Sequence, residues 1–248
     1  MLFVDHIFMI LLLVVQPVYG VFEARRCDAL EESGRSLNRI RLYRETMLMQ
    51  WVFLAALIAA WVILDRPIAD LGFSTTLGPG FWAGLALVAL LSGYLLDAWR
   101  WATRAPKAKK AEQAEALGKS ARFLPHTRRE LHGFFGLSIT AGIVEEIVYR
   151  GFALWYLTHI MPPWVAVGVS SVVFGLAHCY QGRDNAIRTG VVGLAFGTLY
   201  IVTGSIWLPI VAHILIDTLQ GKALHEILRT DEDDPRPQPN QPTSQLTN

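Results

Sequence analysis

Long apolar blocks alternate with short polar stretches along most of the chain. About seven blocks approach the roughly 20 residues that a helix needs to cross the hydrocarbon core of a bilayer. They lie at about residues 2–22, 47–64, 80–99, 131–157, 163–179, 186–202 and 205–219. The pattern therefore predicts an all-α fold, a polytopic membrane helix bundle with about seven transmembrane helices. The last three blocks are short for full spans, so we expect tilting or local thinning of the bilayer.

The polar stretches differ in charge, and this difference predicts the orientation of the bundle. Basic residues concentrate in the loop after the first block and in the loop of residues 100–129. The loops at about residues 65–79 and 158–162 hold only Arg66 between them. Because positively charged loops stay on the cytoplasmic side, the N-terminus is predicted outside and the C-terminus in the cytoplasm.

Composition supports a membrane protein rather than a soluble one. The chain has 248 residues, of which 52% are hydrophobic and 17% are charged. Soluble domains are nearer a quarter charged. We therefore predict a multi-pass integral protein of the cell (inner) membrane, with the lipid bilayer as a partner and no nucleic acid. Cys27 and Cys179 lie far apart, without the spacing of a metal site or a disulfide framework.

Charged residues interrupt the fourth block. Glu145, Glu146 and Arg150 are expensive to bury at membrane depth, so they are treated as functional candidates. In a helix Glu146 and Arg150 are four residues apart, share a face and can pair. Glu145 points about 100° away from Glu146, since an α-helix has 3.6 residues per turn. It can therefore face a polar cavity and act as a general base towards water.

Further polar residues occur in the later blocks. The fifth block ends at His178, and the seventh contains His213 and Asp217 with helical spacing. Histidines are bases near neutral pH. A water held among Glu145, His178 and His213 would form a hydrolytic centre, although each of these residues alone could be a structural contact.

Three motifs in this order resemble one family. Glu-Glu-x-x-x-Arg in the fourth apolar block is followed by Phe-x-x-x-His in the fifth and His-x-x-x-Asp in the seventh. This order resembles the CAAX protease and bacteriocin-processing (CPBP, or Abi) family, over about residues 131–221. The resemblance implies an intramembrane glutamic-type endopeptidase.

The resemblance also implies roles for the motif residues. Glu145 would activate water, Glu146 and Arg150 would support it, and His178 would be the second catalytic residue. His213 and Asp217 would belong to the oxyanion side. An ionised Asp217 can only accept hydrogen bonds, so it would orient His213 or another partner, or be protonated.

Cofactor use stays open at this point. Zinc can be held by three protein ligands with a fourth position open, and Glu145, His178 and His213 could supply those ligands. The chain has no His-Glu-x-x-His motif, and we therefore favour a reaction without a cofactor.

The sequence as a whole predicts three regions. Residues 1–130 hold N-terminal membrane segments and a cytoplasmic linker, residues 131–221 the protease core, and residues 222–248 a largely disordered cytoplasmic tail. The predicted function is hydrolysis of a membrane-associated protein or peptide. The alternatives are a non-enzymatic membrane scaffold or immunity-type protein, and a proton-coupled transporter.

Overall fold

The computed structural model describes residues 1–35, 37–74 and 77–229, and within these ranges the chain is helical and has no strand. The helices, numbered in chain order, are α1 (Phe3–Glu32), α2 (Arg39–Ile63), α3 (Pro79–Arg104), α4 (Lys107–Leu117), α5 (Arg128–Thr158), α6 (Pro163–Ala177), α7 (Arg183–Thr203) and α8 (Trp207–Leu228). Short 3₁₀ turns lie at Ile68–Leu71, Gly118–Phe123 and Cys179–Gln181. The all-α class predicted from the apolar pattern is confirmed.

Five helices, α1, α2, α3, α5 and α7, are long and apolar enough to cross a membrane. The fifth predicted block forms the shorter apolar helix α6, and the seventh forms α8, which has 22 residues. Many large apolar side chains on these helices are exposed, including Ile63 at 80% and Leu90 at 74%. Such faces are suited to lipid. The number of seven spans and the orientation of the termini stay predictions.

Several helices extend beyond the predicted apolar blocks because polar residues cap them. α2 starts at Arg39, where the side chain of Asn38 accepts a hydrogen bond from the backbone of Arg41. α5 starts one residue after Thr127, which forms a capping box with Glu130. Such caps satisfy backbone N–H groups that have no partner inside the helix. The two helices therefore begin before the apolar blocks that start at about residues 47 and 131.

Other predicted boundaries also shift. α1 continues for ten residues beyond the predicted end at Phe22, through the charged segment up to Glu32. α8 continues to Leu228 and so includes the first residues of the predicted tail. The predicted disorder of the remaining tail concerns residues 230–248, which lie outside the described residues. The linker between the third and fourth apolar blocks contains the helix α4.

α5 lies at the centre of the bundle and positions the charged residues. It packs against α2 on one side and α8 on another, while α6 packs against α7 and α8 packs against α3. The main apolar core surrounds the second half of α5, where Phe152 and Leu154 are almost completely buried. The residues singled out by the sequence therefore lie inside the protein rather than on its lipid-facing surface.

Close helix crossings depend on small residues. The sequence pattern Gly193-x-x-x-Gly197 on α7 indicates helix packing. Both glycines face α6: an added Cβ at Gly193 would lie 3.4 Å from the Cα of Ser171, and one at Gly197 would lie 2.9 Å from Val167. The packing interpretation is confirmed, and the close approach brings α7 next to the charged residues of α5.

Candidate active site

Glu146 is the most deeply buried acid of the cluster, with 0% of its surface exposed. Arg150 Nη1 donates a hydrogen bond to Glu146 Oε1 at 2.9 Å, and His213 Nδ1 lies 2.7 Å from the same oxygen. A carboxylate paired with a guanidinium is ionised and can only accept, so Nδ1 of His213 carries the hydrogen. Glu146 therefore joins α5 to α8 through two charge-assisted contacts.

Arg150 is held from several sides. Its Nη2 donates to the backbone carbonyl of Gly193 at 3.1 Å. The guanidinium also lies over the rings of Phe174 and Phe196, at 4.6 and 5.4 Å from their centroids. Cation–π contacts of this kind are strongest where water is excluded. Arg150 thus ties α5 to both α6 and α7.

Arg150 lies in a π-helical turn, Ile147–Ala153, that follows directly after Glu146. π-helical turns are rare in proteins, and those that occur are often found at functional sites. All seven residues of this turn are buried. The sequence predicts a long fourth helix that tilts or bends, but its apolar pattern gives no sign of the wider turn.

Glu145 is buried but has a different environment from Glu146. Its Oε1 accepts a hydrogen bond from Gln50 Nε2 of α2 at 2.8 Å. Its Oε2 lies 4.0 Å from His213 Nε2, which is beyond hydrogen-bond distance. Glu145 therefore keeps a carboxylate oxygen facing the imidazole with space between them.

His213 and Asp217 lie one turn apart on α8, as their spacing predicts. His213 Nε2 is 3.5 Å from Asp217 Oδ2. The imidazole is thus placed between Glu146 on one side and the carboxylates of Glu145 and Asp217 on the other. Carboxylates that flank both ring nitrogens fix the orientation of a histidine.

His178 follows the last residue of α6. Its Nδ1 lies 2.8 Å from the carbonyl oxygen of Phe174, which can only accept, so Nδ1 is the donor and Nε2 is left for another partner. The ring meets Phe174 edge-on at 4.8 Å and is close enough to Glu145 for an electrostatic interaction. No direct hydrogen bond joins His178 to the other five predicted residues within the described ranges.

Tyr180 is a neighbour of the site that the sequence analysis did not single out. Its ring stacks on His178 with centroids 6.1 Å apart. Burial raises the pKa of Tyr180 to about 12, so the phenol stays protonated near neutral pH. Gln181 Nε2 donates to the phenol oxygen at 2.9 Å.

Gln50 is the other missed residue. The first three apolar segments contain none of the three motifs, so no role was predicted for them. The signal was nevertheless present, because an amide in a membrane helix needs a partner, as a charged residue does. The partner, Glu145, lies 95 positions further along the chain.

All six predicted residues therefore lie in one cluster formed by α5, the end of α6, and α8. Five of them, Glu145, Glu146, Arg150, His213 and Asp217, are linked through contacts of 2.7–4.0 Å. Among the described residues no group of three or more His, Cys, Asp or Glu could hold a metal ion. Glu145, His178 and His213, the three zinc ligands that the sequence suggested, are therefore not arranged as a ligand set. A reaction without a metal stays a prediction.

The match to a protein-family model covers this same part of the chain. Residues 127–219 match the family model of the type II CAAX prenyl endopeptidase Rce1-like proteins. The chain is also 33% identical over 81 residues to "Putative membrane peptidase YdiL" of Bacillus subtilis (strain 168). That match covers 33% of this chain and 32% of the relative, so the chain spans about a third of the length of the curated relative it matches. No solved structure matches it.

These matches and the apolar helices lead to one classification. Five membrane-length helices and a match to a membrane peptidase make the chain a multi-pass integral membrane protein. The matched segment contains every residue of the charged cluster except Gln50. Over residues 127–219, which contain all six predicted site residues, the chain is similar to the Rce1-like CAAX prenyl endopeptidases.

Proposed function

We propose that the chain is an intramembrane endopeptidase that hydrolyses a peptide bond of a membrane-associated protein or peptide with water activated by Glu145. The observation that carries this proposal is the unequal environment of the two glutamates. Glu146 is occupied by Arg150 and His213, whereas Glu145 has one amide partner and an oxygen 4.0 Å from His213 Nε2. Glu145 is therefore the carboxylate that can take a proton.

In the proposed reaction Glu145 removes a proton from water as the water oxygen attacks the carbonyl carbon of the scissile bond. His178 orients this water, because its Nδ1 is held by Phe174 and its Nε2 can accept a hydrogen bond. The new C–O bond converts the carbonyl into an oxyanion. When the C–N bond breaks, the proton on Glu145 passes to the leaving amine, so that one water is consumed for each cut.

We assign the oxyanion side to His213. Glu146 holds its Nδ1, so Nε2 is directed towards Glu145 and Asp217. A fixed imidazole that already faces the developing charge does not need to reorganise during the reaction. In this scheme His213 is an imidazolium, so that Nδ1–H donates to Glu146 and Nε2–H is available to the oxyanion. Asp217 Oδ2 lies 3.5 Å from Nε2, and Asp217 is a positioning residue.

The three candidate zinc ligands, Glu145, His178 and His213, are not arranged as a ligand set in the described parts of the chain, so the proposed reaction uses no metal. Metal analysis of the purified protein distinguishes this reaction from a zinc-dependent one.

The proposal can be tested on the membrane proteome of cells that produce either the native chain or the Glu145→Gln variant. We expect a set of new protein termini with the native chain and loss of that set with the variant. Glu45→Gln, which removes an exposed carboxylate paired with Arg41, is the matched control and should keep the termini. Identical termini with and without Glu145 would instead favour a scaffold or immunity-type protein. Proton-coupled flux without new termini would favour a transporter.

A further inference from the structure

A cavity of about 210 Å³ lies beside the candidate active site, between the end of α1 and the turns at Gly118–Phe123 and Cys179–Gln181. Three cationic side chains line it: Arg25, Lys119 and Arg122. Asp28 is the acidic residue in its lining. The wall of the cavity therefore carries more positive than negative charge, and a cavity of this kind attracts anions.

Arg122 is the fixed part of this cavity, since its side chain is only 7% exposed. Its Nη1 donates to Asp28 at 2.7 Å and lies 3.4 Å from Glu31. Its guanidinium also lies over the ring of Phe123, 4.9 Å from the centroid. The buried Nε has no hydrogen-bond partner among the described residues. The guanidinium is held in place, although its donors are not all satisfied.

The other two cations, Arg25 and Lys119, are exposed to the solvent. Lys119 Nζ lies 3.0 Å from Asp28, and 77% of its side chain is exposed. Arg25 is also exposed and forms no ion pair within the described parts of the chain. Asp28 is therefore shared by two cations while Arg25 has no counterion. A further anion would complete the set.

The surface next to the cavity indicates which anion this is. Val18, Val21, Phe22 and Arg25 follow one face of α1, since they are three or four residues apart. Val18 and Phe22 are each 64% exposed, and Val21 is 38% exposed. An exposed apolar strip on a membrane helix thus ends at a cluster of cations. This arrangement fits an acyl chain that continues into a phosphate group at the membrane surface.

We propose that this cavity binds the phosphate headgroup of an anionic phospholipid through Arg25, Lys119 and Arg122, with an acyl chain along Val18 and Phe22. Arginine forms strong, directed hydrogen bonds with phosphate oxygens, and lysine adds a point charge. Lipid binding at this cavity does not depend on the proposed endopeptidase function.

The position of the cavity has a consequence for the active site, and this consequence does rest on the proposed function. Tyr180 lines the cavity and stacks on His178. The carbonyl of Gln181 in the same turn accepts a hydrogen bond from Ser120 at 3.0 Å. A bound headgroup would bridge α1 and the Gly118–Phe123 turn and so hold the turn that follows His178.

Native mass spectrometry of the purified full chain, titrated with phosphatidylglycerol or with phosphatidylcholine, tests the proposal. We expect the native chain to prefer phosphatidylglycerol. The double variant Arg25→Gln/Lys119→Gln should bind this lipid at least about tenfold more weakly, because each surface cation contributes to anionic-lipid binding. The matched control Arg41→Gln/Lys109→Gln also removes two exposed cations, each from an ion pair outside the cavity, and should bind normally.

The proposal is overturned if the double variant binds phosphatidylglycerol as tightly as the native chain does. It is also overturned if the control variant loses as much phosphatidylglycerol binding as the double variant. If the double variant does not fold, Arg25→Gln alone serves as the test, because Arg25 is exposed and forms no ion pair in the described parts of the chain. Added inorganic phosphate distinguishes a lipid site from a site for free phosphate. A lipid site keeps its bound phosphatidylglycerol when inorganic phosphate is added at the same concentration as the lipid, whereas a free-phosphate site releases the lipid. Displacement by a peptide carboxylate rather than by phosphatidylglycerol would also contradict a lipid site.

Discussion

Glu145 and Glu146 are neighbours in the chain, but their side chains have different partners. Glu146 is completely buried and accepts from Arg150 and His213 on one oxygen. Glu145 contacts Gln50 of another helix and faces His213 from a longer distance. At the scale of the residue, the proposal therefore assigns a structural role to Glu146 and the chemistry to Glu145.

This difference predicts unequal effects on stability. Glu146→Gln leaves the buried guanidinium of Arg150 without its counterion, and breaking a buried ion pair costs about 3–5 kcal/mol. Glu145→Gln removes no ion pair with an arginine and should cost much less. Reversible unfolding of the purified variants in detergent measures both effects. An equal loss of stability would show that the two glutamates have the same structural role.

At the scale of the element, the site depends on helices that approach one another closely. α6 carries His178 at its end, and α7 supplies the carbonyl that holds Arg150. The two helices meet at Gly175, where an added Cβ would lie 2.6 Å from the carbonyl oxygen of Ala186 and 3.2 Å from Gly190. The backbone of α7 cannot move away without shifting Gly193 and its contact with Arg150.

Gly175→Ala should therefore destabilise the protein. The extra methyl group collides with backbone atoms, and overpacking of this kind costs about 1–3 kcal/mol. Gly168→Ala is the matched control, because it is on the same helix and an added Cβ there meets nothing within 4 Å. Its melting temperature should stay the same or rise slightly, since alanine favours helix. A similar decrease for both variants would contradict the proposed close contact.

At the scale of the whole molecule, the sequence predicts the helices and the chemical groups better than it predicts how they meet. Apolar periodicity and the cost of burying charge were enough to find the all-α membrane bundle and the residues Glu145, Arg150 and His213. These signals are local in the sequence. Each membrane helix must pair its backbone N–H and C=O groups in hydrogen bonds within the helix. The formation of the helix therefore depends little on distant parts of the chain.

The remaining features depend on contacts between distant segments. Gln50 reaches Glu145 across 95 positions, and Ser120 holds the turn after His178 across 61 positions. The apolar pattern of the sequence does not indicate which distant residues form such pairs. The π-helical turn at Ile147–Ala153 and the capped starts of α2 and α5 also depend on individual hydrogen bonds rather than on the pattern. The π-helical turn could be found only in the folded chain, whereas Thr127-x-x-Glu130 is a capping-box pattern that the sequence already contains.

The most direct test of the account is the rate of peptide cleavage by the purified chain in liposomes, measured with a substrate identified from the membrane proteome. Glu145→Gln should lower kcat by about 10²–10⁴-fold, the usual contribution of a general base, while the variant stays folded and binds the same substrate. Glu45→Gln should cleave like the native chain. Cleavage by folded Glu145→Gln at the native rate would contradict the assignment of Glu145 as the residue that activates water.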